Sequence, residues 1–361
     1  MCPSSYIEIS RSALRRNAAA VREAVPVPVI GVLKCNGYGV TIQEAAAAWQ
    51  AAGVTMFAVS RPEEALELRG CGFREDILLL CPVADTQTLA QMQENSIILT
   101  ASNFDNAHFY STHASSHPVR VHVAVDTGMG RFGIRWNDVE QARALYRLPG
   151  LSFEGIFSHF SCSFEAEYQE TKRQLSRFLY MIEALQMEGI PVGMRHIANS
   201  CAALRFPETW LDAVRIGSAL VGRLPADTPV KLESVGVFKA QVVDRKHFRP
   251  GDTTGYGGYC RIPKEADAVI VALGREDGFG VTAKPDKLRL KDLAAYLYHL
   301  LQAWRHPPCV VCNDRKMTVL GRVGNQYTLF DATGMDIKPG DLVQWEGNLM
   351  LSACPRRISA E

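Results

Sequence analysis

The sequence predicts an α/β chain, an N-terminal (β/α)8 TIM-like barrel followed by a mostly-β domain. Three observations carry that expectation. Over the first two-thirds of the chain, short apolar runs alternate with longer amphipathic stretches, which is the pattern of parallel β/α units. Near residue 230 the pattern changes to strand-like alternation broken by Gly, Pro and Asp. The 361 residues suggest about two domains at ~100–200 residues each, and a compact barrel, typically ~250 residues or somewhat fewer, fits before residue 225.

The elements follow in order. VPVIGVLK (27–34) reads as a strand, and TIQEAAAAWQAAG (41–53) as a helix ending at a glycine, where a left-handed residue closes many helices. MFAVS (56–60), PEEALELRGCG (62–72) and DILLLC (76–81) continue the alternation. Later strands are VRVHVAVD (119–126), SFEGIFSHF (152–160), the stretch around MRHIANS (194–200) and AVRIGSALVG (213–222). Helical patterns at 137–147 and 168–189 separate them. In the second part, 235–260, ADAVIVALG (266–274), KMTVLGRV (316–323), QYTLFDAT (326–333) and DLVQWEG (341–347) read as strands, with one helical insertion at 291–304.

Composition bounds the function classes. A net charge of +1 argues against a nucleic-acid or anionic-membrane binder. No run of ~20 apolar residues is present, so no membrane span is expected. The start, MCPSSYIEISRSALRRN, has no apolar signal-peptide core. Ten cysteines without framework spacing point to free thiols in a reducing, cytoplasmic setting. The pair Cys309 and Cys312 lacks a second ligand pair nearby, so no metal is expected.

Five stretches can carry chemistry. Lys34 ends a strongly apolar strand, at the end where β/α barrels build active sites, and a desolvated amine there can form a Schiff base with an aldehyde cofactor. Arg131 lies in the glycine-rich VDTGMGRFG, and its guanidinium can bind a carboxylate or phenolate oxygen. HIANS (196–200) and RIGSALVG (215–222) join apolar strands to small residues that let backbone N–H groups approach a phosphate. Both fall where the late barrel loops lie, and those loops commonly hold phosphate. GYGGY (255–259) presents Tyr256 among glycines. Taken singly, each also fits a solvated strand-end lysine, a turn arginine, a tight turn or a hairpin aromatic.

In this order, YIEISRSALRRN, VLKCNGYG, RPEEALELRGCG, VDTGMGRFGI, GIFSHF, KRQLSRF, HIANS, VRIGSALVGRLP, TTGYGG and LGRVGNQYTLFD span nearly the whole chain. The series resembles the alanine racemase family, fold-type III enzymes dependent on pyridoxal 5'-phosphate (PLP). The resemblance implies a PLP-binding barrel over 9–228 and a β domain formed by 1–8 with 229–361. It implies that Lys34 binds PLP covalently and that Tyr38 contacts the phosphate. Asn199, Ser200, Gly217 and Ser218 would form the phosphate loops, partly through backbone N–H groups. Arg131 would contact the PLP phenolic oxygen and the substrate carboxylate. Arg215 would face the pyridine nitrogen, held by His196, with His159 beside the catalytic tyrosine. Tyr256 would be the second base, entering from the partner of a homodimer. Racemisation needs two bases on opposite faces: Lys34 for the D-enantiomer, Tyr256 for the L-enantiomer.

Four departures from the family pattern matter. Ala124 stands where the family often has a carbamylated lysine that orients the arginine, so Arg131 must be held otherwise. Asn325 and Gln326 replace a Met-Asp pair near the substrate carboxylate, and Asn325 keeps the backbone N–H of that methionine. Arg275 replaces an entryway tyrosine. The end, LSACPRRIS, lacks the family's phosphate-binding tyrosine. Three of these lie near the mouth, so the expected substrate is a small amino acid, alanine or else serine or another. The alternatives are a decarboxylase or aldolase on the same fold, or a non-catalytic PLP-binding protein. Arginine stays protonated and can only donate, so Arg215 would leave the pyridine nitrogen unprotonated and restrain transamination. Arg215→Glu is therefore expected to raise the ratio of transamination to racemisation, measured as keto acid formed per inversion. An unchanged ratio would count against this role.

Overall fold

The computed structural model describes residues 4–115, 117–281 and 307–359, with residues 297, 298, 301 and 305. The chain divides into two compact units, Arg11–Val235 and the segments on either side of it. The first strand, β1 (Ser5–Ile9), belongs to the flanking unit.

In the central unit the apolar runs become β2 (Val29–Val32), β3 (Met56–Val59), β4 (Asp76–Leu79), β5 (Leu99–Ala101), β6 (Val119–Asp126), the short β7 (Ile134–Arg135), β8 (Leu151–Phe157), β9 (Met194–His196) and β10 (Val214–Ile216). Hydrogen-bonded pairing runs β10-β2-β3-β4 and β5-β6-β8-β9, all parallel. Parallel bridges Leu78–Ile98 and His196–Ala213 join the two arcs. The result is a closed ring of eight strands, with β7 as a short addition beside β6. Alternate residues of the ring, among them Ile30, Val32, Met56, Ala58 and Leu78, pack together as one buried cluster, as the two-residue period of a strand dictates.

The connecting helices are α1 (Arg11–Ala24), α2 (Ile42–Ala51), α3 (Pro62–Gly70), α4 (Thr86–Glu94), α5 (Phe104–Thr112), α6 (Val139–Tyr146), α7 (Gln169–Gln186) and α8 (Ser200–Arg205). Their starts are chemically marked. The side chains of Thr41, Asp85, Asn103, Asp138 and Asn199 each accept a backbone N–H of the first turn. α1 buries Leu14, Ala18 and Val21, a stripe at helical spacing. α2 lays Trp49 on the barrel where β2 has Gly31; a Cβ there would lie 2.8 Å from the indole ring.

In the flanking unit β11 (Gly236–Phe248) is one 13-residue strand that serves two sheets. Its first half pairs antiparallel with β1. After a bulge between Val242 and Asp244, its second half pairs with a strand over Ala266–Val271. In chain order the others are β12 (Thr253–Thr254), β13 (Cys260–Arg261), β14 (Ala266–Val271), β15 (Cys309–Cys312), β16 (Arg315–Thr318), β17 (Thr328–Asp331), β18 (Leu342–Trp345) and β19 (Arg356–Ile358). The main sheet runs β16-β15-β18-β11-β1-β19.

Two differences from the sequence reading have physical causes. β5, which the sequence reading does not include, is only three residues long, LTA, too short to show a strand period. The strand expected over 316–323 stops at Thr318, and Val319 makes one isolated bridge to Phe330. Cys309 and Cys312 are the ends of one strand, so their side chains point to opposite faces and cannot converge on one ion. Among the described residues no group of three or more His, Cys, Asp or Glu is placed to hold a metal, and no helix is long and apolar enough to cross a membrane. The insertion helix expected at 291–304 lies outside the described residues, apart from 297, 298 and 301.

Tyr110, fully buried on α5, holds β5 in place. Its hydroxyl accepts the Val83 N–H at 2.7 Å and donates to the Thr100 carbonyl at 3.2 Å. Tyr110→Phe strands both groups without water. It is expected to lower stability by about 1–3 kcal/mol, read as a fall in the urea midpoint at unchanged slope.

Candidate active site

The C-terminal ends of the barrel strands surround a cavity of about 360 Å³. Lys34, Tyr38, Arg131, His159, Asn199, Ser200, Arg215, Gly217 and Ser218 all line it, so nine expected site residues come together. Its lining includes Lys34, Arg131 and Arg215 and no Asp or Glu. His196 sits directly behind, against Arg215. Tyr256 and Asn325 lie in the other unit. Tyr256 opens a short 3-10 turn, and its side chain is outside what is described. Asn325 is exposed, and its carbonyl accepts the Glu276 N–H at 3.1 Å.

Lys34 lies two residues beyond β2, after Leu33, and the chain then winds left-handed. Cys35, Asn36, Gly37, Tyr38 and Gly39 all have positive φ. For a non-glycine residue that conformation costs about 1–2 kcal/mol. Local bonds offset the cost: Asn36 Oδ1 accepts the Ile42 N–H, and the Asn36 carbonyl accepts those of Gly39 and Thr41. Glu64 on α3 adds a clamp, accepting the Cys35 N–H at 2.8 Å through Oε1 and the Ser60 and Arg61 N–H groups through Oε2. The turn folds Tyr38 back across the barrel. A Cβ on Gly217 would lie 2.3 Å from the Tyr38 hydroxyl oxygen, so glycine is required there. Desolvation, with smaller effects of Cys35 and Glu64, raises the proton affinity of that phenol, which therefore stays a donor. The Lys34 Nζ lies 5.9 Å from the Tyr38 ring centroid.

Opposite, Ser200 Oγ accepts the Gly217 N–H at 3.0 Å. The Ser200 hydroxyl proton is thereby left for another acceptor. Asn199 plays a different part. Its Oδ1 caps α8 through the Ala202 N–H and accepts the Ser163 hydroxyl, and its Nδ2 reaches the Phe160 carbonyl. Its side chain is spent on placing Ser200.

Arg215 ends among carbonyls and imidazoles, with the Phe157 ring 5.2 Å from its guanidinium carbon and no counter-charge among the described residues. Nη2 donates to the Ser158 carbonyl at 2.5 Å and to His159 Nδ1 at 3.2 Å; Nη1 donates to the His196 carbonyl and to His196 Nδ1 at 2.6 Å. Burial, reinforced by the charge of Arg131, pulls its proton affinity down to about 9, which still leaves it charged at neutral pH. A guanidinium can only donate, so His196 Nδ1 must be an acceptor and its proton must sit on Nε2. That nitrogen is 2.9 Å from His122 Nδ1, which in turn must accept. One arginine thus sets the tautomers of three histidines, since His159 Nδ1 must accept as well. Sequence reasoning gave His122 no role; the available signal was a histidine inside the apolar strand VRVHVAVD, paired in register with Gly155. A Cβ on Gly155 would fall 2.6 Å from His122 Cε1.

The comparisons with known proteins bear on this arrangement. The profile of the alanine racemase N-terminal domain matches residues 9–225. An alanine racemase of Desulforamulus reducens is 35% identical over 284 residues, 76% of each chain. One of Desulfosudis oleivorans is 32% identical over 360 residues, 94% of this chain and 86% of the relative. The chain belongs to the alanine racemase family. It is an amino-acid racemase. Among solved structures, the alanine racemase of Clostridium difficile 630 superposes with a TM-score of 0.84 at 25% identity, covering 96% of this chain and 88% of that one. That of Streptomyces lavendulae gives 0.85 at 25%, covering 100% and 98%.

Desolvation and the nearby arginines hold His122 and His159 down to about 3, and His196 well below its ordinary value. In the unfolded chain each protonates near ~6.5. Between those limits the unfolded state binds more protons, so stability is full above ~6.5 and is lost as pH falls, by up to about 1.4 kcal/mol per unit for each histidine. Urea midpoints are expected to drop steadily from pH 6.5 toward pH 4. His122→Phe is expected to flatten that slope; an unaltered slope would show that His122 is not buried neutral.

Proposed function

We propose that this racemase uses PLP bound in the barrel cavity and inverts a small amino acid, alanine or serine, by a two-base mechanism shared between two copies of the chain. The observation that carries the reading is a lysine amine at the end of β2, in a cavity with two arginines and no carboxylate. The residues fit the cofactor. The Tyr38 and Ser200 hydroxyls are donors on either side of a glycine whose missing side chain leaves room, which suits a phosphate. Lys34 would be the amine that holds the aldehyde carbon, and Arg215 would be the donor that suits an unprotonated ring nitrogen. When bound, PLP draws electron density from the substrate α-carbon and makes its hydrogen acidic.

The protein's own groups do the rest. Arg131 binds the substrate carboxylate, a task for a planar pair of N–H donors. Lys34 takes or returns the α-proton on one face, and Tyr256 on the other. Asn325 offers its backbone N–H beside the carboxylate. The family resemblance brings Tyr256 from a partner, so the active form is a homodimer, and the cytoplasm is the setting that ten unpatterned cysteines suit.

The test follows α-hydrogen exchange and chirality for L- and D-alanine and L- and D-serine in D2O with added PLP. Exchange with inversion is expected. Lys34→Ala is expected to abolish it. Tyr256→Phe is expected to lower inversion by about 10²–10⁴-fold, the usual worth of a general base, while D-alanine still exchanges without inverting. Mixing the two inactive variants is expected to restore up to about a quarter of the activity, because half the dimers then carry one intact site of two. Inversion surviving in Lys34→Ala would overturn the mechanism, and failure of the mixture to recover would overturn the shared site.

A further inference from the structure

Arg131 is the residue assigned above to the substrate carboxylate, and the structure gives its side chain little support. Among the described residues its guanidinium has no hydrogen bond or ion pair; the contact it makes is with the Phe132 ring, 5.8 Å away. Ala124, on the strand that leads into the loop, lines the same cavity and offers a methyl group. An unsupported arginine side chain has many rotamers open to it, so what fixes its position must act through its loop.

The loop is well fixed at its base. It leaves β6 at Asp126 and returns to β7, which pairs with Val125 and Asp126, so both ends meet at one place. Asp126 Oδ1 accepts the N–H groups of Gly128 and Gly130, at 2.9 and 3.0 Å. Thr127, fully buried, pairs its hydroxyl with that of Ser158 at 2.8 Å. The remaining support comes from α7. Arg177 Nη1 donates to the Thr127 carbonyl at 2.9 Å and is itself seated over the Trp136 ring. Gln174 is fully buried. Its Oε1 accepts the N–H and hydroxyl of Ser161, at 3.0 and 3.1 Å, and its Nε2 reaches Thr127 Oγ1 at 3.5 Å, the outer edge of a hydrogen bond. Residues 174 and 177 lie on one face of the helix, and both close on Gly128, where a Cβ would meet Arg177 Nη1 at 3.4 Å and Gln174 Nε2 at 3.5 Å.

We propose that Gln174 and Arg177 are positioning residues for Arg131: from α7 they set the height and tilt of the 126–133 loop, and so the direction from which the guanidinium meets a substrate carboxylate. Gln174 does this in register with the Ser161 segment, which follows His159. The inference rests on the role given to Arg131 above.

The experiment has two arms. Hydrogen exchange on the protein without substrate, for Gln174→Met and Arg177→Met, is expected to quicken about tenfold or more over residues 126–133 while β2–β4 keep their protection. Racemisation of alanine by the holoenzyme is expected to show KM raised about tenfold with kcat within about threefold, the mark of lost ground-state and transition-state binding together. Arg177→Lys, which keeps a donor for the Thr127 carbonyl, is expected to recover most of that loss. In an Arg131→Ala background neither methionine variant is expected to raise KM further. Unchanged exchange over 126–133 would overturn the brace. An equal rise in KM without Arg131 would overturn its link to the carboxylate. A parent protein that racemises no amino acid would overturn the functional reading instead, and the exchange arm alone would then decide the brace.

Discussion

A positive charge buried without a counter-charge is the constraint on which the site depends. Removing Arg215 from water costs several kcal/mol, and no carboxylate repays it. The guanidinium is satisfied by the carbonyls of Ser158 and His196 and by ring nitrogens of His159 and His196. Those acceptors come from the ends of β8 and β9, so the demand of one side chain on β10 brings three strand ends to a common level. It also dictates protonation. Arg215 can only donate, so His196 and His122 are neutral, with defined tautomers, and neither can become a cation without breaking the chain of bonds. Gly155 completes the arrangement by leaving room for the His122 ring.

The left-handed turn after Lys34 shows a second kind of constraint. Its three non-glycine members together carry about 3–6 kcal/mol of conformational cost, which persists because the surroundings over-determine it. Asn36 closes the turn on itself, and Glu64 pins it from a neighbouring helix. The return is geometric: the lysine and the Tyr38 hydroxyl, four residues apart, face one cavity, and the hydroxyl fills the space a side chain at 217 would need.

Much of this was legible in the sequence, for identifiable reasons. Strands of four to eight apolar residues announce themselves by composition, and the polar residues at their C-terminal ends mark the reactive rim of a barrel, so Lys34 and Arg131 stood out by place, whereas Arg215, inside a three-residue strand, was named only by the family resemblance. β5 did not announce itself, because three residues, Leu99 to Ala101, are too few to carry a period. The ordered motifs identified Tyr38, Ser200 and Gly217. They did not show that Asn199 is spent on capping α8 and bonding Ser163, which depends on a loop 36 residues away.

The sequence by itself determined the barrel-plus-β architecture, the family, and the residue types gathered at the strand ends, because periodicity and motif order are local properties of the chain. The tertiary structure decided which of those polar groups remain available and how they are held. It freed the Ser200 proton by giving its oxygen to Gly217, fixed three histidine tautomers through one arginine, and supported the Arg131 loop from α7 rather than from position 124. The physical reason is that a hydrogen-bonding group has few partners to give. Which of them are taken is settled by neighbours brought from tens of residues away.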